Sequence, residues 1–253
     1  MSEPAHLDPR QSTTNSIGAV QTHALSKRYS AVEAVRDLEL RVERGRVYAL
    51  LGPNGAGKST ALKLILGLLG PTNGAIELFG QAWRRDLLAH VGASIEGPAL
   101  YAHLSAAENL EIHARLLGLP GASIGAALTT VGLQGVGRKP VARFSTGMQG
   151  RLALAQALLT DPDLLILDEP QNGLDPEGIL ELRTLVRTPA AQGKAVLISS
   201  HLLAEVAQLA DDIGVIARGA LRYQGPLSGL ANDGTSLEDA YLALVRGRNE
   251  EAA

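Results

Sequence analysis

Gly52-Pro53-Asn54-Gly55-Ala56-Gly57-Lys58-Ser59 fits the pattern GxxxxGK[ST] at every position, with Thr60 directly behind it. Glycines at these places let the backbone curl so that successive N–H groups point inward at phosphate oxygens. A helix opening at Lys58 adds the partial positive charge of its N-terminus. Lys58 then supplies a cation for the β- and γ-phosphates of a nucleoside triphosphate, and the Ser59 hydroxyl a ligand for Mg²⁺. A Gly-rich turn alone would need neither Lys58 nor Ser59.

About a hundred residues later, Leu164-Leu165-Ile166-Leu167-Asp168-Glu169-Pro170 reads as a buried strand that ends in two carboxylates. Burying acids is costly unless a cation or a reaction uses them. Asp168, at the strand's end, can hold Mg²⁺ through water. Glu169, one residue on, points elsewhere and can activate an attacking water as general base. Phosphate loop and acidic pair together predict binding and hydrolysis of a nucleotide.

The elements around these residues must bring them together. Val47–Leu51, Leu164–Leu167 and Ala195–Ile198 are unbroken apolar runs, as expected of parallel strands covered on both faces. Leu38–Val42 and Ala75–Phe79 alternate, which predicts strands with one wet face. A helix behind the phosphate loop runs through Leu62, Ile65 and Leu66. From Pro98 to about Thr160 no strand pattern is visible. There Ser105-Ala106-Ala107-Glu108 is a capping box, followed by Leu110, Ala114 and Leu117 at helical spacing, and Ile124, Leu128 and Val131 repeat that spacing in a second helix. This stretch reads as a helical insertion in an α/β core. Ile213–Ala217 and Ala220–Gln224, flanking Arg218-Gly219, predict a hairpin.

Composition excludes several classes. The 253 residues carry 23 Lys and Arg against 26 Asp and Glu, a formal charge of −3, so nucleic acid held by charge alone is not expected. No Cys is present, which rules out disulfides, iron–sulfur clusters and thiolate zinc. Ala61–Leu69 is the best apolar stretch, but it is short and holds Lys63, and the polar start MSEPAHLDPRQSTTNS lacks the apolar core of a signal peptide. A soluble, cytoplasmic chain that reaches a membrane through a partner is the expectation.

From about Val20 onward the chain resembles the nucleotide-binding subunit of an ATP-binding-cassette (ABC) transporter. Phe144-Ser145-Thr146-Gly147-Met148 stands where that family has its LSGGQ motif, and Gly150 where a Gln is usual. Three of the five positions depart, but Ser145 and Gly147 are kept, and Ser145 would cap the helix Met148–Leu159. By resemblance, Ser145 and Gly147 bind the γ-phosphate of ATP held by an opposite subunit, Asp175 in Asn172-Gly173-Leu174-Asp175-Pro176 makes an intersubunit contact, His201 in Ser199-Ser200-His201 contacts the γ-phosphate, and Tyr29 stacks on adenine.

The resemblance implies a P-loop NTPase core of the RecA-like kind, with a small antiparallel β-subdomain and an inserted α-helical subdomain. Its boundaries would be a tail over 1–18 and one ATPase domain over 19–253. Within that domain the core covers about 19–97 and 161–225, the insertion about 98–160, and a C-terminal segment about 226–253. It also implies ATP and Mg²⁺, a second ATP-binding subunit, and an integral membrane permease on a separate chain at the inner face of the membrane. Glu96 in Ser94-Ile95-Glu96-Gly97-Pro98 replaces the family's loop glutamine after the strand Val91–Ile95; its carboxylate can approach Mg²⁺ but brings a charge that an amide lacks. With the Thr-Gly-Met signature, it resembles the ABC-2-type export branch, particularly subunits for lantibiotic or bacitracin self-protection, which implies an exporter of a peptide antibiotic, drug or lipid-like compound. A soluble ABC ATPase acting on ribosomes or nucleic acid is the alternative, disfavoured by a single cassette and a slightly acidic charge. Gln171 stands where Thr is usual, and the sequence offers no reason for it.

Overall fold

The computed structural model describes residues 17–119, 122–231 and 235–247. Residues 1–16, most of the expected tail, lie outside the described residues. The chain opens with β1 (Val20–Tyr29), β2 (Val32–Leu38), β3 (Arg41–Val42) and β4 (Val47–Leu51), then α1 (Lys58–Ile65). Next come β5 (Asn73–Leu78), β6 (Gln81–Ala82) and β7 (Val91–Ser94), followed by the helices α2 (Ala106–Leu116), α3 (Ala122–Thr130) and α4 (Thr146–Leu158). The last stretch alternates β8 (Leu164–Asp168), α5 (Pro176–Ala191), β9 (Ala195–Ser200) and α6 (Leu203–Leu209), and closes with the hairpin β10 (Asp212–Ala217) and β11 (Ala220–Pro226) and α7 (Leu237–Arg246).

Two sheets result. One has the order β11-β10-β4-β9-β8-β7, parallel from β10 to β7 with only β11 antiparallel. The other is antiparallel, β2-β1-β5-β6, with β3 also on β1. The unbroken apolar strands have a direct cause. Val47, Ala49 and Leu51 of β4 face one core together with Leu165, Leu167, Val196 and Ile198, which α2, α4 and α5 cover. Tyr48 and Leu50, with Leu164, Ile166, Ala195 and Leu197, face a second core filled by α1 and the antiparallel sheet. A strand between two layers has no wet face and so no polar alternation.

Leu38–Val42 is not the single strand its alternation predicts. β2 ends at Leu38 and β3 is only Arg41–Val42. The buried Thr22 explains the gap: its hydroxyl donates to Leu38 O (2.6 Å) and accepts from Leu40 N (2.8 Å), replacing ladder bonds with side-chain bonds.

Between β7 and β8 the described residues contain helices and loops and no strand, apart from one isolated bridge, Ser105 to Pro140. α2 starts as expected: Glu108 N donates to Ser105 Oγ and Ser105 N to Glu108 Oε2. Leu110 and Ala114 are buried, but Leu117, expected on the same stripe, is 50% exposed. α2 ends at Leu116, Gly118 turns the chain in the left-handed region (φ 66°), and Leu119 packs on the core in place of Leu117.

Candidate functional site

The carboxyl ends of β4, β9, β8 and β7 lie side by side on one sheet edge, where open α/β sheets bind their ligands. The phosphate loop leaves β4, Ser199–His201 close β9, Asp168 and Glu169 close β8, and Glu96 follows β7. Strand order therefore gathers four segments scattered over about 150 residues of sequence.

The loop needs its glycines where it touches the rest of the fold. A Cβ on Gly52 would stand 2.3 Å from Ile216 O, and one on Gly57, at φ 107°, 2.3 Å from Ala34 O. Gly57 is the N-cap of α1 and hands the helix N-terminus to Lys58, Ser59 and Thr60. Pro53, Asn54, Gly55 and Ala56 form the bend, closed by Ala56 N donating to Pro53 O. Lys58 is 5% exposed; its Nζ donates to Gly52 O (2.8 Å) and Pro53 O (3.2 Å) and stands 3.2 Å from Glu169 Oε1. A buried ammonium is thereby surrounded by oxygens.

Glu169 is the hub of the edge. His201 Nδ1 is 2.7 Å from its Oε2, and Asn172 Nδ2 donates to the same oxygen at 2.9 Å. Burial works to raise its pKa. Hydrogen bonds from Asn172 and Lys58, the Lys58 charge and the His201 contact outweigh burial and hold the carboxyl below the ordinary glutamate range. Asp168 accepts from Ser199 Oγ at 2.5 Å, and Ser199 Oγ in turn accepts from Glu169 N at 2.9 Å. The two carboxylates thus have separate partners, as their adjacent positions on a strand end predict, while Ser199 Oγ links Asp168 to the Glu169 backbone.

A cavity of about 440 Å³ opens beside this edge, lined by Ser59, Glu96, Asp168 and Glu169 on one side and by Thr146 and Arg151 of α4 on the other. Glu96 borders it from a left-handed turn (φ 57°), with its carboxylate paired to Lys63 of α1. Ser145 caps α4, its Oγ accepting from Met148 N at 3.2 Å, while Gly147 and Gly150 face Leu174. Asp175 caps α5 through Gly178 N at 2.9 Å. Tyr29 ends β1 45% exposed, with Lys27 Nζ 5.3 Å from its ring centre.

So Lys58, Glu169 and His201 meet within hydrogen-bond reach, whereas Tyr29, Ser145 and Asp175 stand on other elements with local partners. Sequence reasoning missed the roles of Ser199, Asn172 and Lys63 as partners of Asp168, Glu169 and Glu96. Ser199 carried a legible signal, since a Ser at the end of a fully buried strand needs a polar partner, and the parallel register sets it beside Asp168.

Comparison with known proteins shows the family. The sequence profile described as ABC transporter matches residues 35–172. The lantibiotic transport ATP-binding protein SrtF of Streptococcus pyogenes is 43% identical over 82% of this chain and 91% of its own length. The bacitracin transport ATP-binding protein BcrA of Bacillus licheniformis is 43% identical over 83% of this chain and 71% of its own. A solved structure of the ATP-binding subunit of an ABC transporter superposes with a TM-score of 0.79 at 32% identity, covering 89% of this chain and 99% of that one. The chain belongs to the ABC transporter family, as one of its ATP-binding and ATP-hydrolysing subunits.

Proposed function

We propose that this chain powers an exporter of a lantibiotic- or bacitracin-like peptide antibiotic, working at the inner face of the membrane on a separate permease chain. The two relatives named for such transport support the cargo class. Among the described residues no helix is long and apolar enough to cross a membrane, so the proposal puts the cargo pathway in the permease. Nucleic acid has no part in it, in keeping with the net charge of −3.

The observation that carries the catalytic reading is the meeting of Lys58, Glu169 and His201, with Glu169 Oε1 on Lys58 and Oε2 on His201. The loop amides from Gly52 to Thr60 and the α1 N-terminus bind the phosphates, and Tyr29 stacks on the adenine. The γ-phosphate competes for Lys58, drawing it from Glu169 and leaving that carboxylate to take a proton from the attacking water. His201, held at Nδ1 by Glu169, presents Nε2 to the γ-phosphate.

Ser59 and Asp168 fit Mg²⁺, which keeps several waters and needs only one or two protein oxygens beside the phosphates; Glu96 borders the same cavity. Held by Ser59 and Asp168, Mg²⁺ would supply positive charge beside the phosphates. Glu96 reaches this site by leaving Lys63.

Ser145 and Gly147 serve the ATP of a second subunit, and Asp175 meets that subunit. The chain carries both the phosphate loop and the capped α4 end, so two copies arranged head to tail supply both halves of two sites. Binding favours the closed pair and hydrolysis the open one.

Glu169→Gln tests the reading: the variant should bind ATP like the parent and accumulate as an ATP-bound dimer, and hydrolysis at the parent rate would remove Glu169 as base. Affinity capture from detergent-solubilised membranes of the native host tests the setting. A co-purifying polytopic membrane protein supports export, and ribosomes or nucleic acid in its place would overturn it.

A further inference from the structure

Gln171, unexplained by the sequence, has a defined place in the structure. Its side chain is 5% exposed, and its Nε2 donates to Ser200 Oγ at 2.9 Å. The same Oγ accepts from Leu202 N at 3.0 Å, which shapes the turn that carries His201. Ser200 O accepts from Gly52 N at 3.1 Å, tying that turn to the start of the phosphate loop. On its other side, Gln171 O accepts from Leu174 N at 3.1 Å and so folds the loop 171–175. That loop rests on α4: a Cβ on Gly173 would come within 2.6 Å of Thr146 Cγ2.

A buried carboxamide thus bridges the loop that abuts the start of α4 and the turn that holds His201 against Glu169. Thr at 171 would carry its hydroxyl only on Cβ, two carbons short of the reach from which the Gln171 nitrogen meets Ser200. We propose that Gln171 is a positioning residue: through Ser200 it fixes His201, and so makes the catalytic edge respond to where the 171–175 loop and α4 stand. It touches no reacting atom and acts on the rate through His201 and Glu169.

This rests on the catalytic reading above, and a double-mutant cycle separates the two. Gln171→Met keeps length and volume but removes the hydrogen-bonding group. Steady-state ATP hydrolysis of Gln171→Met should show kcat lowered about fivefold to tenfold, the size expected for one buried hydrogen bond, with KM for ATP unchanged and the thermal midpoint lowered by about 2–4 °C. In the Ser200→Ala background the same Gln171→Met change should have no further effect, because the shared bond is already gone. Full additivity of the two changes would overturn the proposal, as would an unchanged kcat in Gln171→Met or a rise in KM in its place. Should Gln171→Met fail to fold, Gln171→Leu removes the same hydrogen-bonding group with an apolar side chain and is read by the same criteria. Glu169→Gln run alongside discriminates: if it hydrolyses at the parent rate the catalytic reading fails, and if it is inactive while Gln171→Met equals the parent, only the positioning role fails.

Discussion

The parallel-sheet edge and the first turn of α4, both assigned to phosphate in the proposed mechanism, stand in opposite states. At the edge, Lys58, Glu169 and His201 already hold one another, with Glu169 Oε1 3.2 Å from Lys58 Nζ and Oε2 2.7 Å from His201 Nδ1. At α4, Ser145 caps its own helix through Met148 N, and Thr146 and Arg151 of that helix line a cavity with Asp168 and Glu169. In the proposed mechanism one region is a catalytic half and the other an anion site at a capped helix end, with Ser59 of its own chain's phosphate loop on the same cavity. Under the proposed mechanism that difference is the reason a single chain is not enough.

The largest effects should fall on the edge. Lys58→Ala removes the only ammonium that touches the loop carbonyls among the described bonds, and isothermal titration should show ATP binding weakened by about 100-fold or more, the loss expected when a charged, buried partner goes. Glu169→Gln should leave that binding intact while lowering kcat by about 10²- to 10⁴-fold, the usual range for a positioned general base. If both variants lost binding equally, the edge would be a binding site without a separable catalytic group.

Ser145→Ala should give the contrasting phenotype. ATP affinity of the dilute, monomeric protein stays at the parent value, but turnover at high protein concentration falls by about 10²-fold, comparable to the loss of one donor to a developing charge. Turnover unaffected by this change would place α4 outside the reaction.

Asn172→Ala sharpens the electrostatic side. Glu169 sits below the ordinary glutamate range because Asn172, Lys58 and His201 outweigh its burial. With its pKa depressed in the folded protein, Glu169 contributes stability that is complete above the ordinary carboxylate range and is lost as the pH falls through the folded value. Removing Asn172 takes away one donor, so the acid limb of the kcat profile should move to higher pH; an unmoved limb would assign it to another group.

The smallest effect concerns the insertion itself. Ser105→Ala breaks the capping box of α2 and should cost about 1 kcal/mol. A chain of this size would then melt about 2–4 °C lower, with kcat unchanged.

What the sequence made legible, and what it did not, follows the same division. Val47–Leu51, the loop behind it and Leu164–Glu169 were readable because each motif is local: apolar residues buried on both faces, then a turn whose glycines have no substitute. The helical insertion was readable from Ser105, Glu108 and the spacing of Leu110 and Ala114. Leu38–Val42 misled because alternation records burial and not hydrogen bonding, and the Thr22 hydroxyl that breaks the ladder lies 16 residues from Leu38. Leu117 misled because the helix stops at Leu116 and Gly118 passes its place in the core to Leu119. Gln171 and Ser199 have meaning only through contacts made about 30 residues away in sequence, across the β8–β9 register. Pairings of that kind are tertiary, and single-chain spacing does not carry them.

Mixing two inactive variants tests the central claim most directly. Lys58→Ala lacks a working phosphate loop and Ser145→Ala a working α4 end, so each alone should hydrolyse ATP at background rate. In a head-to-tail pair formed from one of each, one site joins two defects and the other joins an intact loop to an intact α4 end. An equimolar mixture should therefore recover about a quarter of the parent rate, since random pairing makes half the dimers mixed and each holds one good site of two. A mixture no more active than its two components measured apart would contradict an active site shared between two chains.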